Sequence, residues 1–296
     1  MSNFDDIFAS AAVPTQPDNR PQWQIREQQN RENAYHTLDA VFEKYENGTA
    51  DVKSYLDVQS RFLAYSARNA LLVQQKNPAA TRLGDRKYWR DQGFEVLRNE
   101  IRNPIIILEP GREYTREDGS VGQYYKAKEV YDISQTTGRD KVQPTVALDE
   151  RLLLKALISR SPVAIQVVDE LPQGQGATFD PEKQAILVRR GMSAPDIFRS
   201  VSLELAHADL QQETKDYSRS ADGYKAYYAS YLLCKRYDID AGGYDTNALK
   251  EVLKGKEKKE IANSLDSIKD TAKSISYRMS RALEQNKPPK SKEQER

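Results

Sequence analysis

The sequence contains few of the residues from which disulfide and metal sites are built. Its 296 residues include one cysteine, Cys234, and two histidines, His36 and His207. A single cysteine excludes an internal disulfide framework and is typical of a protein of the reducing cytoplasm. A catalytic zinc site uses two or three His, Glu, Asp or Cys ligands and leaves one position open for water. With so few imidazoles and thiols, a standard zinc hydrolase is hard to assemble.

Long apolar runs and a dominant charge are also missing. No stretch approaches the roughly 18 uninterrupted apolar residues of a membrane helix, so we expect no membrane partner. The first ten residues show no basic segment before an apolar run, which predicts no secretory signal and a cytoplasmic location. The formal net charge is +1 and the mean hydropathy is -0.79. These values exclude a globally basic nucleic-acid binder but do not exclude a local basic patch.

Composition and periodicity divide the chain into two folded parts with polar ends. Residues 1–22 are predicted to be a disordered leader, and residues 286–296 a disordered charged tail. Between them we expect a first domain over 23–140 and a second over 141–285. Each combines helices with a few short strands, so the predicted fold class is α+β.

The first domain begins with helical periodicity and continues with strands. Apolar spacing predicts one helix that ends at 46–48 and a second over 52–75, which ends before Pro78. A β-branched run over 105–108 and an alternating stretch over 123–134 predict two strands. We therefore expect a helical layer that is followed by a small sheet.

The second domain repeats this mixture in a different order. The predicted elements are a helix over 148–160 and strands over 163–168 and 185–188. Three helices follow: one begins at Ser193, and the others span 221–237 and 250–284. The last helix carries an apolar stripe. Packing within its own domain is the preferred explanation of that stripe, and docking of a protein partner is the alternative.

One predicted helix carries a degenerate metallopeptidase motif. In zincins, the HExxH pattern places two histidines on one helix face, and the glutamate between them polarises the attacking water. This chain has Glu204 and His207, but Leu203 stands where the first histidine belongs. Most isolated Glu-x-x-His pairs are ordinary residues of a helix face, so polar contacts alone would explain the pair.

The order of elements around this motif resembles the ImmA/IrrE and SprT-like metallopeptidases. The segment 201–208 is similar to their active helix, and the segment 225–236 is similar to a later helix that supplies an acidic ligand in those families. The resemblance implies that Tyr227 occupies the position of that acid. It also implies that the side chains of residues 203, 207 and 227 converge.

By the same resemblance, Glu204 would be the catalytic base and His207 a zinc ligand. Leucine cannot bind a metal ion, and a neutral tyrosine is a rare zinc ligand. We therefore expect both retained residues to be vestigial, no cofactor to be bound, and the domain to be a pseudoenzyme. Zinc would be the cofactor if the site were active.

A second candidate site lies in the first domain, between residues 61 and 102. This segment contains nine Lys or Arg and four Asp or Glu, a local charge of +5 in a nearly neutral chain. Aromatic residues are interleaved with the cations. Cations that follow a phosphate backbone and aromatic rings that stack on bases are typical of sequence-tolerant single-strand binding. The alternative is that Trp89 and Phe94 belong to the core and the arginines to a solvated surface.

The same segment resembles the N-terminal domain of ArdC-type antirestriction proteins, which binds single-stranded DNA. The recurring features are Ser66-x-x-Asn69 on a helix, then Trp89 and Gly93, then an Ile-rich strand that ends at Pro110. The resemblance covers about 35–285 and implies an antirestriction role on a mobile genetic element. The residues assigned to DNA binding are Arg61, Tyr65, Arg68, Asn69, Arg82, Arg86, Lys87, Tyr88 and Arg90.

Two other functions remain open at this stage. One is an active metallopeptidase with an unusual metal site. The other is a protein-interaction module that reuses the zincin shape as a docking surface and does not bind DNA. Stoichiometric zinc would favour the enzyme, and binding to single-stranded oligonucleotides would separate the DNA-binding protein from the interaction module.

Overall fold

The computed structural model describes residues 20–116, 118–141 and 149–285. The predicted tail, and the predicted leader up to residue 19, lie outside the described residues. The rest combines helices with two small sheets, so the predicted α+β class is confirmed.

The first half consists of a helical layer and a three-stranded antiparallel sheet of order β1-β3-β2. Strands β2 and β3 form a long hairpin. The start of β2 and the end of β3 are buried, whereas the residues near the hairpin turn are mostly exposed. The elements are α1 (Gln22–Glu46), α2 (Val52–Arg61), α3 (Ala67–Lys76), β1 (Leu83–Gly84), α4 (Arg86–Asp91), β2 (Ile105–Thr115) and β3 (Val121–Asp132).

The prediction of one helix over 52–75 is wrong, because α2 ends at Arg61 and α3 begins at Ala67. Side chains satisfy the backbone at this break. The Gln59 amide donates to the carbonyl oxygen of Phe62 at 2.9 Å, and the Ser66 hydroxyl accepts from the Asn69 amide at the start of α3. A serine at this position is a favourable N-cap, which makes a new helix start stable here.

The second half places a three-stranded sheet of order β4-β6-β5 before a group of helices. Strands β4 and β6 are parallel, and β5 and β6 are antiparallel. The elements are α5 (Glu150–Ile158), β4 (Ala164–Val168), β5 (Ala177–Asp180), β6 (Ala185–Arg189), α6 (Ala194–Glu213), α7 (Arg219–Arg236), α8 (Ala248–Leu253) and α9 (Lys258–Gln285). Ser193 caps α6 by accepting from the Asp196 amide, as its position predicts.

The predicted helix over 250–284 is also divided, into α8 and α9. Gly255 lies between them with φ of +74°, a conformation that favours glycine, and its amide donates to the carbonyl oxygen of Glu46 at 2.9 Å. This bond ties the connection to the end of α1. No described helix is long and apolar enough to span a membrane.

One continuous apolar core joins the two halves of the described chain. Helix α9 packs against α1 and α3 of the first half and against α5, α6 and α7 of the second. Its apolar stripe is therefore covered within the chain. Asp266 of α9 accepts a hydrogen bond from the Ala67 amide at 2.8 Å, so the second half also contributes to the start of α3.

Candidate functional site

Glu204 lies on α6 with its carboxylate turned into the protein. The side chain is 2% exposed. One oxygen accepts from the Phe179 amide of β5 at 2.8 Å, and Arg219 at the start of α7 donates to both oxygens at 2.6 and 2.8 Å. The carboxylate is therefore held in a two-pronged ion pair and a backbone hydrogen bond.

His207 is buried one helical turn after Glu204. Its Nδ1 atom is hydrogen-bonded to the hydroxyl of Tyr217. Burial, and to a smaller degree the charge of Arg219, lowers the pKa of His207 from 6.5 to about 3. Burial also raises the pKa of Tyr217 to about 12. At neutral pH both groups are uncharged, which suits an enclosed polar pair.

Tyr227, which was expected to converge with His207, does not do so. Tyr227 packs its ring against Tyr228 and Tyr244, and its hydroxyl accepts from the Asp245 amide at 2.9 Å. The residue of α7 that faces the imidazole is Gly223, where an added Cβ would lie 3.5 Å from Cε1 of His207. The alignment to Tyr227 is therefore wrong by one helical turn, and the position that faces His207 has no side chain.

These residues do not fit a zinc or manganese ion. Leu203 is partly buried against the core and has no donor atom. Asp209, which follows the motif, is buried and receives two hydrogen bonds from Arg278 at 2.9 and 3.0 Å. Within residues 20–116, 118–141 and 149–285, no group of three or more His, Cys, Asp or Glu side chains could hold a metal ion.

The first half contains a cavity of about 620 Å³. It lies between α1, the start of α3, the inner part of the β2–β3 hairpin and α9. Three residues assigned to DNA binding line it, namely Tyr65, Arg68 and Asn69, together with Tyr35 and Tyr125. We call this space the tyrosine cavity.

Two of the assigned residues have their polar groups occupied by the protein itself. Asn69 is buried, and its amide donates to the carbonyl oxygen of Leu108 at 2.9 Å and accepts from the Leu108 amide at 2.8 Å. Arg61 donates to the carbonyl oxygens of Ala80, at 2.8 Å, and of Pro78. Asn69 therefore fixes β2 against α3, and Arg61 fixes the chain after α3.

Helix α4 contains one core residue, and its residues assigned to DNA binding are exposed. Trp89 is fully buried, and its ring nitrogen donates to the carbonyl oxygen of Tyr131 at 3.0 Å. The interpretation of Trp89 as a core residue is thus confirmed. Tyr88 is 36% exposed, and its hydroxyl accepts from Arg82 at 2.7 Å. Arg82 also lies over the Trp89 ring, 5.4 Å from its centroid.

The remaining assigned residues are exposed cations of α4, which are Arg86, Lys87 and Arg90. Lys87 forms an ion pair with Asp91 at 2.9 Å. Lys128 of β3 connects this helix to the tyrosine cavity, since it pairs with Asp85 at 3.3 Å and with Glu109 at 2.8 Å. Eight of the nine assigned residues therefore belong to the surroundings of α4 or of the tyrosine cavity, and Arg61 belongs to neither.

The aromatic residues of the hairpin lie outside the charged segment over 61–102 and were not predicted to bind DNA. Tyr114 is 50% exposed, and Tyr124 is 38% exposed. Arg31 of α1 lies over the Tyr124 ring at 4.6 Å, and Arg116 lies over the Tyr114 ring at 5.9 Å. The dense tyrosines and cations between 112 and 126 are the sequence signal that could have revealed this surface.

Gly122 allows one of these rings to lie close to the strand. A Cβ at this position would come within 2.4 Å of the Tyr114 ring. Any side chain would force the ring away from β3. We call the aromatic and cationic surface of α1 and the hairpin the hairpin face; its members are the exposed Tyr35, Tyr114, Arg116, Tyr124 and Tyr125 and the partly buried Arg31.

No family model matches the chain. An uncharacterized protein of Bacillus anthracis, pXO2-81, is 24% identical over 284 residues, a match that covers 78% of this chain and 48% of the relative. The chain thus spans about half the length of the curated relative it matches.

Two crystal structures of the antirestriction protein ArdC from plasmid R388 align with most of the chain. The Mn(II)-bound form is 16% identical and the metal-free form 15% identical, and each has a TM-score of 0.51. The alignments cover 83% and 84% of this chain and 98% of ArdC. The predicted resemblance is therefore confirmed in the fold: this chain is folded like the ArdC protein.

Proposed function

We propose that this protein binds single-stranded DNA through the hairpin face, the tyrosine cavity and the cations of α4. The observation that carries the proposal is the grouping of Tyr35, Tyr65 and Tyr125 with Arg68 around one open cavity. Aromatic rings offer stacking platforms to any base, and nearby cations attract the phosphate backbone. Such a surface binds single strands with little dependence on sequence.

We propose a different role for each half of the chain. Residues 23–140 form the DNA-binding domain, and residues 141–285 form a zincin-like domain without a catalytic metal. Lys128 extends the binding surface from the cavity toward α4, since it pairs with Glu109 at the cavity and with Asp85 at the start of that helix. Arg61 and Asn69 support this surface from inside, and do not touch DNA.

Salt dependence tests the DNA-binding part of the proposal. Fluorescence anisotropy with a labelled single-stranded oligonucleotide should show affinity that falls as salt rises, with a log–log slope of about -0.7 per phosphate neutralised. Arg68→Glu should weaken binding and flatten the slope. Arg151→Glu on α5, an equal charge change at an exposed site of the other half, is the matched control and should leave both unchanged. Equal effects of the two variants would contradict a localised binding surface.

The pseudoenzyme part of the proposal rests on Arg219, Leu203 and Gly223. A guanidinium pairs with the carboxylate that would serve as base, and the two positions beside His207 that would bear ligands have none. Elemental analysis of the purified protein should find well below one zinc or manganese per chain. A stoichiometric metal that is lost in His207→Ala would establish the active-metallopeptidase alternative instead.

A rebuilt site tests the geometry of this argument. Leu203→His with Gly223→Glu and Arg219→Ala would supply two ligands next to His207 and remove the competing cation. Zinc affinity should rise well above that of the unmodified protein. The matched control exchanges Gly223→Glu for Tyr227→Glu and should gain much less, because Tyr227 faces Tyr244 and Asp245.

The biological role that we propose is antirestriction during transfer of a mobile genetic element, in the cytoplasm of the host. The support is the shared fold with a plasmid protein whose name states that activity. A restricting strain that expresses this chain should accept unmodified plasmid DNA more efficiently than the same strain without it. An unchanged efficiency of transfer would contradict the role without affecting the DNA-binding proposal.

A further inference from the structure

The tyrosine cavity has polar groups of both kinds on a wall that is otherwise aromatic. Arg68 supplies a guanidinium, which only donates hydrogen bonds, and Asp266 and Glu109 supply carboxylates, which accept them. A purely electrostatic surface for a phosphate backbone would need the cations alone. Two carboxylates beside the stacking rings indicate a ligand that also has N–H donors.

Asp266 is the more precisely placed of the two carboxylates. Its Oδ1 atom accepts the Ala67 amide at 2.8 Å, which fixes the group at the start of α3, and lies 3.8 Å from the Lys269 ammonium. A carboxylate has acceptor capacity for about four hydrogen bonds, so capacity remains for a ligand. Glu109 is already paired with Lys128 at 2.8 Å and belongs to the rim.

The dimensions suit one base with its sugar. The volume of about 620 Å³ lies within the range of about 300–1,000 Å³ that is common for small-molecule sites. The rings of Tyr35, Tyr65 and Tyr125 line the space, and the hairpin face lies beside it. A single strand that runs along that face can turn one base inward at a low cost, because no complementary strand has to be released.

We propose that the tyrosine cavity binds one guanine base of the bound strand, an inference that rests on the proposed single-strand binding. Guanine presents its N1–H and amino group on one edge and O6 and N7 on another. The first edge matches the Asp266 carboxylate, and the second matches the Arg68 guanidinium. Thymine presents no amino group and no N7, so it matches neither partner as well.

Oligonucleotides that differ at one base test this inference. The probes are a 12-residue oligo(dT) and the same strand with a single central guanine, adenine, cytosine or hypoxanthine. Guanine should increase affinity over thymine at least about fivefold, since a good bidentate base contact discriminates by about 5- to 150-fold. Hypoxanthine lacks only the amino group and should lose most of this gain.

Two variants on α9 test whether Asp266 causes the preference for guanine. Asp266→Asn keeps an oxygen that can accept from the Ala67 amide, but cannot accept two donors from guanine. The ratio of guanine to thymine affinity should fall toward one. Glu284→Gln, which changes an exposed carboxylate near the end of α9, is the matched control and should keep the ratio of the unmodified protein.

The outcomes separate this inference from the function on which it rests. If oligo(dT) binds and guanine brings no gain, or if the gain survives Asp266→Asn, the guanine site is wrong and single-strand binding stands. If no oligonucleotide binds at low salt, both are wrong. Circular dichroism and thermal unfolding of each variant show whether a lost preference reflects lost folding.

Discussion

The two candidate sites use similar residues in opposite ways. At the site of Glu204 and His207, both residues are buried and each has a partner from its own chain, Arg219 or Tyr217. At the tyrosine cavity, rings and charged groups border open space. A retained motif residue is thus weak evidence for chemistry, because its partners decide what it can do. Side chains that are free to contact an external ligand are stronger evidence for a binding site than a retained motif is.

Trp89 and Tyr88 are neighbours in sequence, but the Trp89 ring is buried in the core and the Tyr88 ring is exposed. Trp89→Ala should lower the free energy of unfolding by about 3–5 kcal/mol, because it leaves a large cavity in the core. Tyr88→Ala should cost much less stability, because that ring is 36% exposed, but should weaken single-strand binding by about 1–3 kcal/mol. Urea unfolding and anisotropy measure the two effects. A large loss of stability in Tyr88→Ala would contradict its place on the binding surface.

The ion pair between Glu204 and Arg219 gives the next largest expected effect on stability. Arg219→Ala leaves the Glu204 carboxylate buried without its counter-ion and should reduce stability by about 3 kcal/mol, at the low end for buried pairs because Arg219 is half exposed. Adding Glu204→Gln should recover part of the loss, since a neutral amide is easier to bury. If Arg219→Ala has no effect on urea unfolding, the pair is not what stabilises this carboxylate.

The pH dependence of stability tests the burial of His207. Its pKa is about 3 in the folded protein and about 6.5 when unfolded, so the unfolded chain binds more protons between these values. Stability should therefore fall as the pH drops from about 6.5 toward 3. The contribution of this residue between pH 6.5 and pH 5 is about 1.6 kcal/mol. His207→Gln should remove that part of the slope. An unchanged slope would contradict a buried neutral imidazole.

The smallest effect on stability is expected on the outer surface of α4. Arg86→Glu with Lys87→Glu should leave the urea midpoint unchanged, because both side chains are exposed. The same change should flatten the salt dependence of DNA binding, since two cations near the phosphate path are reversed. If binding and its salt dependence are unaltered, the DNA-binding surface is confined to the hairpin face and the tyrosine cavity.

Local signals in the sequence predicted much of the fold. The β-branched run over 105–108 and the serine cap at Ser193 act through neighbouring residues, and both predictions are confirmed. Errors arose where distant contacts decide the structure. Gly255 interrupts the last helix with a bond to Glu46, and the prediction from periodicity did not include that partner.

The candidate sites, too, could be predicted only in part, because contacts between distant elements form them. Leu203 was visible as a departure from the zincin pattern, but the pairing of Glu204 with Arg219 joins two helices and is set by their packing. The register of α7 against α6, which brings Gly223 to His207, is likewise a tertiary property. The tyrosine cavity unites four elements, so the sequence could name Tyr65 and Arg68 but not their neighbours.

Photo-crosslinking provides the most direct test of where single-stranded DNA binds. An oligonucleotide that contains 5-iododeoxyuridine can be irradiated with the full chain, and the attached peptides identified by mass spectrometry. We predict attachment to the tyrosines of the hairpin face and the tyrosine cavity, with none on α6 or α7. Attachment confined to α6 and α7, or no attachment under conditions where the oligonucleotide is bound, would contradict the assignment of DNA binding to the first half.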